Sequence, residues 1–526
     1  MVTILILICV LVAGYLTTHF LLDRLKSRYL VAGGLEYMLL GIMAGPAAAG
    51  VYAHVISWFS SQPVKPVVLI SSDAVASLAP AITLGIGSIG LLAGLRLSFR
   101  RRNDGFDFED LRASLVINVI TAVLVAGVAL VLLLWFTADY TSLSPAPLPA
   151  DWPWPSMQPG SNGFDERRLL LAIEPLMPSI LLATATAIVS AATPIAYTVA
   201  RYRATGRMSH FVVRVAELSE VMGILIFGLV FCIAHPEEIA LGRGMTSVEW
   251  LVMQIAVGVV VGLLFTLFLG NEDEKQKLLV AIIGIIVFAT GVAYYLKLSP
   301  IFINFFAGLT LANTSRYHER LLRGLEAVEK PFYIVLYFFA GAAWVPYQSL
   351  WVFLLIPLYM GVRLLGKWLG GMAAAATASE HPLYGGDGNT RDRNKALHVR
   401  GIGTALMAQG GLSVAMVLNY LQVYGTHAPL GTTLYSRVMN DPVALEDGLA
   451  LATHDLGALL ATVILASVLI NELTAFRATR NVLINAGEID PKALLPPEDM
   501  YASTAPVLSA EQPPAAPPPG PTDPPT

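Results

Sequence analysis

The sequence has few charged residues and very few cysteines. Only 13% of its 526 residues are charged, 55% are hydrophobic and the mean hydropathy is +0.65, which excludes a soluble globular protein of this length. Its two cysteines, Cys9 and Cys232, both lie in apolar runs, which excludes a disulfide framework and a cysteine metal cage. The net charge of −4 is not the strongly positive charge that is typical of nucleic-acid-binding proteins.

Motifs for nucleotide or phosphate binding and for nucleophilic catalysis are also missing. The sequence has no glycine-rich phosphate loop, no Ser/His/Asp triad and no Cys/His cluster. No nucleophile can be matched with a base. We therefore expect neither an enzyme nor a bound cofactor.

Long apolar runs dominate the chain instead. A span needs about 20 apolar residues, and about thirteen such runs occur, centred near residues 12, 40, 88, 125, 185, 223, 260, 287, 307, 338, 364, 413 and 465. No ten-residue alternating pattern of a membrane β-barrel appears. The sequence predicts an all-α polytopic membrane protein.

The basic residues predict how the chain is oriented. If successive loops alternate sides, one side and the C-terminal tail hold about 25 of the 33 Lys and Arg residues. The positive-inside rule then places the N-terminus outside and the C-terminus in the cytoplasm, which requires an odd number of spans. We expect the first span to be an N-out anchor rather than a cleaved signal peptide.

The composition changes near the C-terminus. From about residue 481 the apolar runs end, and residues 512–521 read QPPAAPPPGP. Such a stretch buries no apolar area, so we expect a disordered cytoplasmic tail at 481–526 after a transmembrane domain at 1–480.

A weak internal repeat relates the two halves of the chain. Residues 40–45, LGIMAG, resemble residues 303–308, INFFAG, and residues 91–94, LLAG, resemble residues 338–341, FFAG. Both echoes are seven spans apart, and an odd offset predicts inverted repeats, with spans one to six related to spans eight to thirteen.

Two spans carry helix-breaking sequences at corresponding positions. Span five contains Ser190, Thr193 and Pro194, and we expect Pro194 to remove a backbone donor and free a carbonyl one turn earlier. Span twelve contains the partner, Gln409-Gly410-Gly411-Leu412-Ser413. Paired interruptions of this kind predict a binding site at the membrane midplane.

Ionisable residues occur at the same depth. Glu220 lies in the apolar run 211–233 and Lys367 in the run 351–376. At a rise of about 1.5 Å per residue, Thr193, Glu220 and Lys367 lie about 12, 14 and 16 Å from the cytoplasmic boundary, near the middle of a core about 30 Å thick. An ionisable group at this depth predicts a functional site.

Two further charged residues flank these positions. Glu217 precedes Glu220 by one helical turn and is a candidate for the inner end of a proton path, or for an interfacial partner of Arg214 or another basic residue. Arg363 precedes Lys367 by one turn and either compensates charge at the site or satisfies helix ends.

Four segments in this order resemble the monovalent cation:proton antiporter superfamily, the sodium/proton antiporter fold of bacteria. The resemblance spans most of residues 1–480. It rests on GLEYMLLGIMAGP at 34–46, LSPIFINFFAGLTLAN at 298–313, the lysine-bearing GKWLG at 366–370 and the second broken helix AQGGL at 408–412.

The resemblance implies a homodimer with a dimerisation domain and a mobile core built from spans four to six and eleven to thirteen. It also implies that Glu220 takes the place of the carboxylate that binds either the cation or the proton. The usual Asp-Asp or Asn-Asp pair is replaced here by Ser219-Glu220. Since Ser219 cannot pair with a lysine as a carboxylate does, we expect Lys367 to find Glu220 itself or to lose its proton.

We therefore expect exchange of Na⁺ or K⁺ for protons by alternating access in the cell inner membrane, one for one. Ser190, Thr193 and freed carbonyls would supply oxygen ligands. Two alternatives stay open: a gated potassium or cation efflux pathway on the same fold, and a transport-inactive membrane sensor.

Overall fold

The computed structural model describes residues 34–45, 78–97, 108–142, 176–204, 206–233, 245–268, 275–344, 351–377, 401–424 and 445–489, with residues 12, 48, 52 and 235. These residues form helices joined by turns and contain no strand. The helices are α1 (Leu35–Ala44), α2 (Ala79–Arg96), α3 (Phe108–Ser142), α4 (Met177–Ile188), α5 (Ala192–Arg201), α6 (Arg207–Ile233), α7 (Ser247–Phe268), α8 (Lys275–Tyr295), α9 (Pro300–Thr314), α10 (His318–Ala343), α11 (Trp351–Thr377), α12 (Ile402–Ala405), α13 (Gly410–Tyr424) and α14 (Leu445–Asn485).

The all-α polytopic prediction is confirmed. Each predicted span from the second to the thirteenth coincides with a helix, or with a pair of helices at spans five and twelve. Among the described residues, seven helical stretches are long and apolar enough to cross a membrane, and three further apolar helices are shorter. The first predicted span, apart from residue 12, and residues 490–526 of the predicted tail lie outside the described residues, whereas residues 481–485 of that tail belong to α14.

Several helices present large apolar side chains outward. On α7, Val248, Leu267 and Phe268 are exposed, and on α8 Val280 and Phe288 are exposed. A helix that is apolar all round is stable only in an apolar surrounding, which for these outward faces is lipid or another apolar protein surface.

The helices pack as two groups. The core group is α3 to α6 with α11 to α14, in which α3 packs along α11 and α14 packs against α11, α12 and α13. The panel group is α1, α2 and α7 to α10, in which α2 packs along α9 and α1 along α10. The groups meet where α13 contacts α2 and α10, and where α6 contacts α7 and α9.

Close glycine contacts in the panel group follow a two-fold pattern. A Cβ added to any of four glycines would overlap a backbone carbonyl of the facing helix. The contacts are Gly41 with the Phe338 carbonyl, Gly308 with the Leu91 carbonyl, Gly94 with the Phe305 carbonyl and Gly341 with the Met38 carbonyl. Exchanging α1 with α9 and α2 with α10 turns each contact into another of the four, as inverted repeats require.

This pattern corrects the register of one sequence echo. The LGIMAG and INFFAG segments align Gly45 with Gly308, whereas the structure pairs Gly41 with Gly308. The second echo, which aligns Gly94 with Gly341, has the observed register. Small residues let helix backbones approach closely, so the repeated feature is the spacing of contacts rather than the letters around them.

Both predicted breaks are present, and the first lies one turn before Pro194, as expected. Residues 189–191 are extended between α4 and α5, so Pro194 falls in the first turn of α5. A backbone N–H in that turn has no partner within the helix, and proline therefore costs nothing there. Residues 406–409 separate α12 from α13, and Gly410 has a φ of 65°, which favours glycine.

Candidate functional site

The two interrupted segments cross each other inside the core group. The Ala191 N–H donates to the Ala408 carbonyl over 2.8 Å, which joins the first break to the second. A Cβ on Gly410 would lie 2.5 Å from the Ala191 Cβ, so the crossing leaves no space for a side chain there. Four helix ends therefore meet at one place, the C-terminal ends of α4 and α12 and the N-terminal ends of α5 and α13.

Arg363 binds the carbonyl-rich side of this crossing. The side chain is fully buried on α11. Its Nε donates to the Ala187 carbonyl over 3.0 Å, its Nη2 to Val189 over 2.7 Å and its Nη1 to Met407 over 2.8 Å. One guanidinium thus satisfies carbonyls from both broken helices, where backbone groups would otherwise be orphaned.

Lys367 lies one turn further along α11 and is also fully buried. Its Nζ donates to the Ile188 carbonyl over 2.5 Å, to Ser190 Oγ over 2.8 Å and to Asn118 Oδ1 over 3.1 Å. Within the described part of the chain, no carboxylate lies within ion-pair distance of Lys367 or Arg363. Lys367 has three oxygen partners without Glu220, so of the two alternatives expected for it, pairing with Glu220 is not the arrangement in this structure.

Glu220 binds the opposite, N–H-rich side of the crossing. Its Oε1 accepts the Ala192 N–H over 2.9 Å, at the first residue of α5. The side chain is half-buried, so part of it remains open. A carboxylate at a helix N-terminus is stabilised by the helix dipole and by the free N–H groups.

Ser219 lies behind Glu220 and connects to the lysine. It is fully buried, and its hydroxyl donates to the Val215 carbonyl over 2.7 Å. It also accepts from Asn118 Nδ2 over 2.9 Å, while Asn118 Oδ1 accepts from Lys367. Asn118 therefore links the residue before the carboxylate to the buried ammonium.

Two other predicted site residues face outward. Thr193 is exposed in the first turn of α5, next to the Ala192 N–H. Glu217 is exposed on α6, one turn before Glu220. Arg214 of the same helix approaches Asp110, with 3.4 Å between Nη1 and Oδ2.

Sequence reasoning missed a second carboxylate at the crossing. Glu472 of α14 is 4% exposed, and its Oε1 accepts the Gly410 N–H over 2.7 Å, at the first residue of α13. The preceding Asn471 donates to Gln409 Oε1 over 2.8 Å. The signal was present, since Glu472 is an acid next to an apolar run, as Glu220 is.

The charges at the crossing follow the helix ends. The two cations, Arg363 and Lys367, contact carbonyls at the ends of α4 and α12, where the helix dipoles are negative. The two carboxylates, Glu220 and Glu472, contact N–H groups at the starts of α5 and α13, where the dipoles are positive. Two positive and two negative groups therefore balance when all are ionised.

A third cation approaches from the panel group. Arg96 of α2 pairs with Glu329 of α10 over 3.1 Å and lies 3.9 Å from Glu326. It also interacts electrostatically with Glu220 across the boundary between the two groups. The half-buried carboxylate therefore faces a charged surface of the panel group.

No family model and no curated protein matches the sequence. A solved structure does match: the sodium proton antiporter MjNhaP1 from Methanocaldococcus jannaschii at pH 8, with a TM-score of 0.55 and 14% sequence identity. The match covers 93% of this chain and 99% of that one. Both the crossed breaks and this similarity lead to one conclusion: the chain has the fold of a sodium/proton antiporter, in a multi-pass membrane protein.

Proposed function

We propose that this protein is a secondary active antiporter that exchanges a monovalent cation, Na⁺ or K⁺, for protons across the cytoplasmic membrane by alternating access. The observation that carries the proposal is the position of Glu220, a half-buried carboxylate at the crossing of two interrupted helices. The activity named for MjNhaP1 supports it.

The chemistry is competition for one carboxylate. Glu220 binds either a proton or a cation, and both neutralise its charge. Small monovalent cations prefer oxygen ligands, and we assign these to Thr193, Ser190 and carbonyls of the interrupted segments, with Ser219 behind the carboxylate. Exchange follows when the two ligands bind from opposite sides of the membrane.

The remaining predicted residues support this carboxylate. Arg363 and Lys367 compensate the charge of the site and hold the crossing carbonyls in place. We assign Glu217, which is exposed on the same helix one turn away, to the inner end of the proton path. Lys367 is held by neutral acceptors, so Glu220 is left available to its ligands.

The proposal includes an assembly and an orientation. The outward apolar faces of α7 and α8 suit lipid and a second copy of the chain, which supports a homodimer. The distribution of Lys and Arg supports an N-terminus outside and a C-terminus in the cytoplasm. No nucleic acid is involved.

Glu220→Gln tests the proposal, because glutamine keeps an acceptor for the Ala192 N–H and removes the charge. Purified protein in proteoliposomes is given Na⁺ or K⁺, and internal pH is followed with a dye. We expect the wild-type protein to exchange and E220Q to be inactive while retaining its unfolding temperature. E249Q, at the half-buried Glu249 that caps the start of α7, is the matched control and should transport normally.

Two other outcomes identify the alternatives. A cation leak that persists in E220Q without proton counterflow would indicate a gated efflux pathway. Absence of flux in wild-type protein for every cation tested would indicate a sensor. Either result would contradict antiport.

A further inference from the structure

We propose that Glu472 is a second proton-binding residue of the exchange site, so that two protons cross for each monovalent cation. This inference rests on the proposed antiport and replaces the one-for-one exchange expected from the sequence with two protons per cation. The two halves of the core group are related by the two-fold pattern, and Glu472 lies in the second half where Glu220 lies in the first.

Glu472 repeats the geometry of Glu220. Glu220 lies on α6, which follows the broken pair α4 and α5, and Glu472 lies on α14, which follows the broken pair α12 and α13. Each carboxylate accepts the N–H at the first residue of the second helix of its pair, α5 or α13. The lengths are 2.9 Å at Ala192 and 2.7 Å at Gly410. The carboxylate arrangement that is proposed to bind protons at Glu220 in the first half of the core group therefore also exists at Glu472 in the second half.

The surroundings of Glu472 are polar but supply no ion pair. The charged and titratable groups near it are Arg363 of α11, Tyr337 of α10 and, through Gln409, Tyr359 of α11. At this level the neighbouring parts of α4, α12 and α13 present uncharged groups. Within the described residues, no cation lies within ion-pair distance, and Gly410 provides the one hydrogen bond.

A buried carboxylate with a single neutral donor is poorly compensated, because burial penalises its charged form. Binding a proton relieves that penalty. A second observation is consistent with incomplete satisfaction in this region: the buried Oδ1 of Asn471 has no hydrogen-bond partner within the described residues. Glu472 is therefore suited to exchange a proton rather than to stay in a permanent ion pair.

The crossing couples this proton to transport. The Ala191–Ala408 hydrogen bond joins the two interrupted segments, so a movement that carries Glu220 between the two sides also carries Glu472. In one half-cycle both carboxylates hold protons. In the other, Glu220 holds the cation and Glu472 is ionised, so one net positive charge moves per cycle.

Glu472→Gln tests this, because it keeps an acceptor for the Gly410 N–H and removes the titrating group. Exchange is measured in proteoliposomes under imposed potassium or proton diffusion potentials, with E249Q as the control. We expect wild-type and E249Q rates to depend on membrane potential and the E472Q rate to lose that dependence. An E472Q protein that keeps wild-type voltage dependence overturns the inference.

Infrared spectroscopy supplies a readout that does not require transport. In pH-difference spectra, a protonated carboxyl band should be lost in E220Q and a second, separate band lost in E472Q. If the E472Q spectrum equals that of the wild type, the inference fails even when exchange is intact. If E472Q does not fold, E472D is used instead, and an unshifted second band contradicts the assignment.

The two failures are distinguishable. A wild-type protein that moves no cation contradicts antiport, whereas the infrared bands still decide whether Glu472 titrates. A wild-type exchange that is independent of voltage leaves antiport intact and overturns the second proton.

Discussion

The two halves of the crossing share a backbone arrangement and differ in their side chains. Glu220 and Glu472 both accept the first N–H of a half-helix, but Glu220 is half-buried whereas Glu472 is 4% exposed. Ser219 connects to Lys367 through Asn118, whereas Asn471 connects to Gln409. The repeated backbone arrangement therefore determines where a carboxylate binds an N–H group, and the neighbouring side chains determine how exposed that carboxylate is.

The largest expected effect comes from breaking the two-fold glycine contacts. In Gly94→Ala and its mate Gly341→Ala, the new methyl group would overlap a carbonyl of the facing helix. We expect each to lose about 3 kcal/mol or more of stability, because rigid backbone cannot yield as a side chain can. Thermal unfolding in detergent measures this.

The control for that pair is Gly291→Ala, since a Cβ there meets nothing within 4 Å. It should leave the unfolding temperature of the protein within a few degrees of wild type. If only one of the two glycine mates is sensitive, the two halves are not equivalent in packing.

A smaller effect should separate the two buried cations. Arg363 donates to carbonyls of both broken helices, whereas Lys367 contacts the first one and Asn118. We expect Arg363→Gln to lose about 2 to 3 kcal/mol and Lys367→Gln about 1 to 2 kcal/mol, because more carbonyls lose a charged donor in the first case. Chemical denaturation of both variants measures the difference, and the reverse order would contradict this division of contacts.

The smallest effect is expected on the KM for the cation, from a substitution in α5 beside the half-buried Glu220. Thr193 is exposed in the first turn of α5, and Thr198 of the same helix is buried with its hydroxyl bonded to the Pro194 carbonyl. If Thr193 contributes one cation contact, Thr193→Ala should raise the KM for the cation about threefold. Thr198→Ala is the matched control, and an equal change in both variants would refute a specific contact.

The overall fold was predictable because its signals are strong. Apolar runs of span length predicted twelve described spans, and the paired breaks near Ser190 and Gln409 predicted the crossing. Pro194 marked the place of the first break but not its cause, because proline is also favoured in the first turn of a helix and Pro194 lies in the first turn of α5. Whether the helix is interrupted before Pro194 depends on the second broken segment, which crosses the first at Ala408, more than 200 residues away in the chain.

The candidate site was predicted in part. Depth along the spans singled out Glu220 and Lys367, and both lie at the crossing. Depth says nothing about which neighbour a side chain meets, so the Asn118 contact of Lys367 was missed. Glu472 was overlooked although it carries the same signal, an acid against an apolar run.

The glycine contacts also have a mechanical consequence. Where α1 lies on α10 and α2 on α9, main chain touches main chain with no layer of side chains to deform. Each of these two helix pairs should therefore behave as a stiff unit. In the proposed exchange, sliding is therefore expected at the boundary between the panel and core groups, which includes the place where Phe302 and Phe306 of α9 lie beside Leu225 and Leu229 of α6.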